Sequence, residues 1–365
     1  MRVLIVGAGV AGLALGHALH ERGITAELVE RSPRWRPEGT GIYLPGNAVR
    51  ALRLLGLEKA VLARANRIAW QRVLDPRGRV LTDIELEPIW GGVGACVEIH
   101  RADLHEAMRG AVPDVAVRMG TTVAEVRPGE RVAVGFTDGR TEEYDLVVGA
   151  DGIHSAVRRL AFGGARPRFL RQICWRYVVD GFPDITDWTA RVGTGRTYVT
   201  HALGNGRVYC YADFTTGDPD REVGDWRELF AHFAEPVPTL LALGGGAYRS
   251  PIEEVAQRRW IAPGVVLIGD AAHASSPNMA QGAAMALEDA YVLAEVLAQV
   301  PGGLPIARAL RSYEDRRLAR VRWVQSQTHR RDRTRRLPAA LRNLALRRAG
   351  ERMYRANYAP LLPPP

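Results

Sequence analysis

This 365-residue sequence predicts an α/β fold in which a parallel-sheet unit receives an inserted antiparallel sheet and ends in a helical tail. Three observations predict it. The chain opens on an apolar run, a glycine-rich turn, a helix-period stretch and a second short strand-like run, the order of a βαβ unit. Two further apolar runs, at residues 145–151 and 265–270, each end in an aspartate, as strands buried in a parallel sheet do. Residues 169–214 instead alternate polar and apolar side chains between turn residues, the period of an antiparallel sheet.

Taken in order, Val3 to Val6 is a strand, Val10 to Arg22 a helix stopped by Gly23, and Ala26 to Glu30 a second strand. Leu44 to Leu57 reads as a helix ending at Gly56, and Arg101 to Gly110 as another. Val132 to Phe136 and Asp145 to Ala150 read as strands. In the middle block the strands are Ile173 to Val179, Thr197 to Ala202 and Arg207 to Phe214. Asn205-Gly206 joins the last two as a hairpin, because both central positions of a type I′ turn need positive φ. Val265 to Ile268 is a buried strand, Gly282 to Val300 a helix, and the chain beyond Pro305 mostly helical up to the proline-rich 360–365. The length fits about two domains. The pattern divides them into a discontinuous unit of residues 1–70, 100–165 and 255–300, an inserted unit of 71–99 and 166–254, and a C-terminal helical segment of 301–365.

Composition narrows the function classes. At 47% hydrophobic and 24% charged residues the chain is ordinary globular protein. No run approaches the ~20 apolar residues of a membrane span, and the first strand follows Met1 directly, which leaves no room for a signal peptide and implies a cytoplasmic location. Cys96, Cys174 and Cys210 are far apart and form no CxxC pair, so neither a metal site nor a disulfide framework is expected. The net charge of +9 comes almost wholly from arginine, Lys59 being the only lysine, which reads as coding bias. Much of the excess lies between Arg316 and Arg355, including the run Arg333 to Arg336, and reads as a solvated helix face, with a polyanion-binding face as the alternative. No nucleic-acid partner is expected.

The chemistry concentrates at three strand ends. In Gly7-Ala8-Gly9-Val10-Ala11-Gly12, Gly7 permits a tight turn, Gly9 lets backbone N–H groups approach a pyrophosphate at the helix N-terminus, and Gly12 allows the helix to pack closely on the strand. Glu30, 18 positions after Gly12 at the end of the next strand, suits a ribose diol. With the flanking strand and helix in place this is a Rossmann-type dinucleotide-binding fingerprint. Asp151-Gly152 and Gly269-Asp270-Ala271-Ala272-His273 put two more acids at carboxyl ends of apolar strands, where open α/β sheets bind ligands.

In this order, the three motifs resemble the single-component FAD-dependent monooxygenases typified by para-hydroxybenzoate hydroxylase, over most of Met1 to about Val300. The resemblance implies a Rossmann-type FAD-binding domain, an antiparallel substrate domain and NAD(P)H as electron donor. It implies that Gly7, Gly9, Gly12 and Glu30, with the adjoining Val10, Ala11 and Arg31, hold the ADP half of FAD. By the same resemblance, Arg101 serves the phosphate and ribityl region, Asp151 and Gly152 serve flavin and nicotinamide, and Gly269 and Asp270 serve the ribityl chain. Pro277, Gly282 and Ala283 would lie beside the isoalloxazine ring, with Gly41, Tyr43 and Asn47 in the stretch near its edge. Two departures stand out: Ala280 where the family commonly has glycine, and Ala284 where it often has asparagine. His273 reads as structural.

The implied chemistry belongs to flavin: hydride reduces it, O2 adds at C4a, and the hydroperoxide delivers one oxygen to a small aromatic substrate. The protein then excludes water and orients substrate. Arg176, His201 and Tyr211 are the candidates for orienting it, with Tyr177, Tyr198 and Tyr209 on the same strands; alternation turns about half of such positions away from any one face. A flavin-dependent reductase or oxidase, or a degenerate FAD-binding protein, remains the alternative. Oligomeric state is left open between monomer and homodimer.

Overall fold

A computed structural model describes residues 1–35, 40–111, 116–335 and 337–365, so Arg336 of the basic run lies outside the described residues. The all-apolar Val3–Val6 lies at the heart of a six-stranded sheet, flanked by Leu146–Gly149 and Ala26–Glu30, both parallel to it. Val265–Leu267 continues the parallel order beyond Leu146–Gly149, and Val117–Met119 beyond Ala26–Glu30; only the edge strand Ile261–Ala262 runs antiparallel. Strands covered on both faces need continuous apolar runs, and Val3–Val6, Leu146–Gly149 and Val265–Leu267 have them. The helix Val10–His20 packs against this sheet and against the helix Gly282–Leu297.

A seven-stranded sheet forms the roof, in the order Tyr248–Glu254, Arg168–Val179, Arg207–Thr215, Arg196–Gly204, Trp188–Val192, Trp70–Leu74, Val80–Glu85. Its hairpin turns at Asn205 and Gly206, with φ of 53° and 72°. The expectation of a purely antiparallel sheet needs correction at one joint, because Trp188–Val192 pairs parallel with Trp70–Leu74, part of the hairpin in the first segment of the inserted unit. A small sheet, Gly41–Leu44, Val97–His100 and Asn66–Arg67, lies between roof and parallel sheet. The helix expected from Leu44 begins at Gly46 and ends at Leu54. Leu44 precedes Pro45, whose ring disfavours helical backbone at the residue before it, so Leu44 stays in the strand.

Two tail helices finish the molecule. Ile306–Thr334 runs against Gly282–Leu297, and Ala339–Tyr358 covers the roof's edge strand Val80–Glu85. Gly350 makes that approach possible, since a Cβ there would lie 2.5 Å from Thr82 Oγ1. Covering an edge strand removes a row of unpaired backbone groups. No described helix is long and apolar enough to cross a membrane, and the three cysteines are buried and unbridged.

Candidate flavin site

The parallel strands carry Glu30, Asp151 and Asp270 to the same edge of one sheet, because their strands are neighbours in the order 265–267, 146–149, 3–6, 26–30. Glycines let these ends meet. Gly7 has φ +103°, and a Cβ there would stand 2.5 Å from Ala150 O; Gly269 has φ +58°, and its Cβ would meet Ala11 Cβ at 3.2 Å and Ala286 Cβ at 3.3 Å. At Gly12 a Cβ would fall 1.9 Å from Gly7 O, so only glycine lets the first helix sit on its strand. Gly9 differs. A Cβ at Gly9 would have nothing within 4 Å, and no side chain caps the helix it precedes. An open space facing the first-turn N–H groups of Val10, Ala11 and Gly12 fits a pyrophosphate.

The acids around that space are differently engaged. Glu30 accepts from Ala8 N at 3.0 Å and Ser32 N at 2.9 Å, one bond per oxygen, which leaves lone pairs for a diol. Asp151 uses Oδ2 to accept from Ala156 N (2.7 Å) and Val157 N (3.1 Å), while Oδ1 is buried without a partner. Burial pushes its pKa up despite those bonds. Asp270 is exposed, and its Oδ1 lies 4.0 Å from where a Gly282 Cβ would be, at the uncapped start of the helix Gly282–Leu297. Gly282 and Ala283 thus open a second positive helix end toward the cleft. Arg31 and Arg101 are exposed and pair with no carboxylate among the described residues; Arg101 N donates to Thr40 O at 2.9 Å. Gly152, with φ +77°, turns the chain out of its strand. The residues present therefore fit FAD.

The loop before that helix explains one departure. Pro277–Met279 is a single 3-10 turn, and Ala280 after it adopts φ +49°. Glycine is the residue that takes left-handed backbone freely, so alanine is strained at the position where the resemblance leads one to expect glycine.

Behind the loop lies a buried charge cluster. Arg317, from the tail, donates to Glu288 Oε2 at 2.7 Å and Asp289 Oδ1 at 2.8 Å; all three side chains are fully buried. Arg320 also holds Glu288, and Asn47 donates to Glu288 Oε1 at 3.1 Å and to Gln281 Oε1 at 2.9 Å. Asp289 Oδ2 accepts from Gly269 N at 2.9 Å and meets His273 Nε2 at 2.6 Å. His273 thus helps to hold the Gly269 turn through Asp289, and Asn47 ties its own stretch to Gln281 and Glu288. Burial alone would raise both carboxylates; Arg317 and Arg320 on Glu288, and His273 and Arg317 on Asp289, outweigh it and hold them low.

Strand alternation decides which roof side chains see the cleft. Cys174, Arg176, Val199, His201, Tyr209, Tyr211 and Asp213 share one face, with Arg176 directly opposite Tyr211 and His201 opposite Tyr209. That face meets the flavin side: a Cβ at Gly41 would lie 2.5 Å from the Tyr209 ring, and Asn66 Nδ2 donates to Ala202 O at 2.9 Å. Tyr177 and Tyr198 point the other way, joined by their hydroxyls at 2.5 Å in a separate core with Trp226, Phe230 and Phe233. Trp175 stacks on Trp226 there at 5.2 Å. Tyr43 is buried against the tail, its hydroxyl unpartnered, and Tyr358 of that tail donates to Met279 O at 3.2 Å.

Sequence reading missed Glu98, Asp332 and Arg335 on the cleft side. Glu98, fully buried, meets His201 Nδ1 at 2.9 Å through Oε2, while its Oε1 has no partner. Burial raises the Glu98 pKa, and the facing imidazole only partly offsets that. Arg335 pairs with Asp213 on the roof, and Asp332 accepts from Gln172 Nε2 (2.9 Å), Ser276 Oγ (3.3 Å) and Asn278, joining roof to flavin loop. None of these pairs is local in sequence, so no spacing signals them.

A family model described as "FAD binding domain" matches residues 1–328. The chain belongs to that family. Within it, the chain is similar to Aurachin C monooxygenase/isomerase from Stigmatella aurantiaca, 35% identical over 325 residues that cover 85% of each protein. It is 34% identical over 341 residues to 2-heptyl-3-hydroxy-4(1H)-quinolone synthase from Pseudomonas aeruginosa, covering 90% of this chain and 88% of that one. Klebsiella pneumoniae HpxO complexed with FAD and uric acid superposes with a TM-score of 0.90 at 27% identity, over 99% of this chain and 97% of the other. This member of the FAD-binding family is an FAD-dependent monooxygenase of the aromatic-hydroxylase type.

Proposed function

We propose that this monooxygenase hydroxylates a planar aromatic or heteroaromatic ring whose O–H or N–H is deprotonated by His201. The relatives are named for a quinolone, 3-amino-4-hydroxybenzoate and urate, rings that carry such a proton. One observation carries the reading. On an aromatic face of the roof, three polar groups stand ready among the described residues: the Tyr211 hydroxyl, buried and unpartnered there; the Arg176 guanidinium, bonded there only to Ser250 Oγ at 3.1 Å; and the His201 imidazole, bonded there only to Glu98.

FAD, when bound, supplies the redox chemistry, accepting hydride from NAD(P)H and passing one atom of O2 to substrate while the other leaves as water. The chain's residues do the rest. With Glu98 ionised, the Nδ1–H of His201 donates to it and Nε2 carries the free lone pair, so a substrate proton moves to Nε2 and Glu98 balances the imidazolium. The deprotonated ring is then electron-rich at the carbon beside its oxygen. Arg176 faces the negative charge so produced, and Tyr211 offers an O–H to it. Gly7, Gly9, Val10, Ala11, Gly12, Glu30, Arg31, Gly41, Arg101, Asp151, Gly152, Gly269, Asp270, Pro277, Gly282 and Ala283 hold the cofactor below.

Turnover in 18O2 with a panel of 4-hydroxyquinolines, aminohydroxybenzoates, simple phenols and urate tests this. One labelled oxygen atom in a ring product is the expected result. Substrate-stimulated NAD(P)H oxidation without a labelled product from any panel member favours the reductase or oxidase reading instead.

A further inference from the structure

The basic tail has a face that the flavin site does not use. In the last helix, Ala339–Tyr358, the side buried against the molecule carries Arg342, Gly350, Tyr354 and Tyr358. On the opposite side Leu341 is 60% and Leu344 45% exposed, and Leu337, just before the helix, is 43% exposed. With Met353, four of the nine large apolar side chains exposed among the described residues fall in this one stretch. Arg348 and Arg352 follow Leu341 at spacings of 7 and 11 residues, which returns them to its side of the helix. Arg347, Arg348 and Arg352 are exposed and pair with no carboxylate among the described residues, whereas Arg355 pairs with Glu351.

We propose that this face docks the enzyme on an anionic lipid bilayer, with Leu337, Leu341 and Leu344 in the headgroup boundary and Arg348 and Arg352 on the lipid phosphates. A surface helix with leucines and unpaired arginines on one side has the composition for that position. A second copy of the chain fits less well, because a symmetric pairing brings two sets of unpaired arginines together. A nucleic acid would use the arginines but gains nothing from exposed leucines, and no aromatic ring lies on the stripe to stack on bases. The dock bears on the cleft through two contacts. Arg342 of the same helix donates to Gly193 O at 2.7 Å and Val192 O at 2.9 Å of the roof, and Arg335 just before it pairs with Asp213. The flank of the cleft would therefore rest against lipid, whichever substrate it takes.

The test is co-sedimentation of the FAD-loaded enzyme with large vesicles of phosphatidylcholine alone or with about 30% phosphatidylglycerol. Binding to the anionic vesicles, weakened by high salt, is expected. The pairs Leu341→Ser/Leu344→Ser and Arg348→Glu/Arg352→Glu should each cut partitioning about tenfold or more, with flavin absorbance and melting temperature unchanged. Absence of binding to anionic vesicles overturns the proposal, as does binding that both variants leave intact. So does retention on heparin or duplex DNA without vesicle binding, or a dimer in light scattering that Leu341→Ser/Leu344→Ser dissociates.

Discussion

The cradle at the strand ends offers the cleft backbone N–H groups and open space, whereas the roof offers the side chains of Arg176, His201, Tyr209 and Tyr211. The cradle is fixed by glycines whose missing Cβ atoms let three strand ends and two helices converge. The roof is fixed by strand parity, and its polar groups find partners such as Glu98 only across the interface. A common cofactor suits the first construction. A variable substrate suits the second, because a roof side chain can change without moving a backbone turn.

Four substitutions would break or sharpen this contrast. Arg317→Met should have the largest effect, costing about 3–5 kcal/mol, because Glu288 and Asp289 are left buried and uncompensated. The sign with pH follows. Both carboxylates are held below their ordinary values in the wild type, so their contribution is present above an unfolded pKa of about 4 and lost as pH falls through the lower folded values. Denaturant melts should thus show the largest gap between wild type and variant near neutrality and a narrowing gap below about pH 4; a pH-independent gap would contradict the ionic account.

Gly9→Val separates ligand space from packing. The side chain has room in the protein, so the apoprotein should melt as wild type does, while FAD affinity falls at least about a hundredfold, about 2.8 kcal/mol. Retained FAD in a folded variant would remove the pyrophosphate assignment.

On the roof, Glu98→Gln should leave FAD affinity and KM near wild type and lower kcat about tenfold, with a changed pH profile, since it withdraws the charge that balances His201. Equal losses at every pH would mark Glu98 as structural. Smallest, Ala280→Gly should stabilise by about 0.5–1 kcal/mol in thermal melts by relieving left-handed backbone at an alanine; a loss would show that the strain is compensated elsewhere.

The same contrast explains what the sequence disclosed. Gly7, Gly9, Gly12 and Glu30 act within one βαβ unit, so their spacing alone encodes their geometry. The Asn205-Gly206 hairpin was legible for the same reason, since two adjacent residues determine both positive φ angles. Tyr177 and Tyr209 looked equivalent as sequence, but register sends one to a core with Trp226 and the other to Gly41. Glu98, Asp332 and Arg335 were illegible, because each meets its partner across more than 50 residues of chain through contacts that no local pattern specifies. The second helix starts at Gly46 rather than Leu44 because Pro45 keeps the residue before it extended, an effect that hydrophobic periodicity does not register.

The Arg317 cluster also sets an order of events during synthesis. Glu288 and Asp289 leave the ribosome before the cation that neutralises them, yet Asp289 must be seated to hold Gly269 N and His273. The Gly269 turn therefore waits for Arg317, translated after it, and a chain truncated before the long tail helix would leave Glu288 and Asp289 without the cation that settles them.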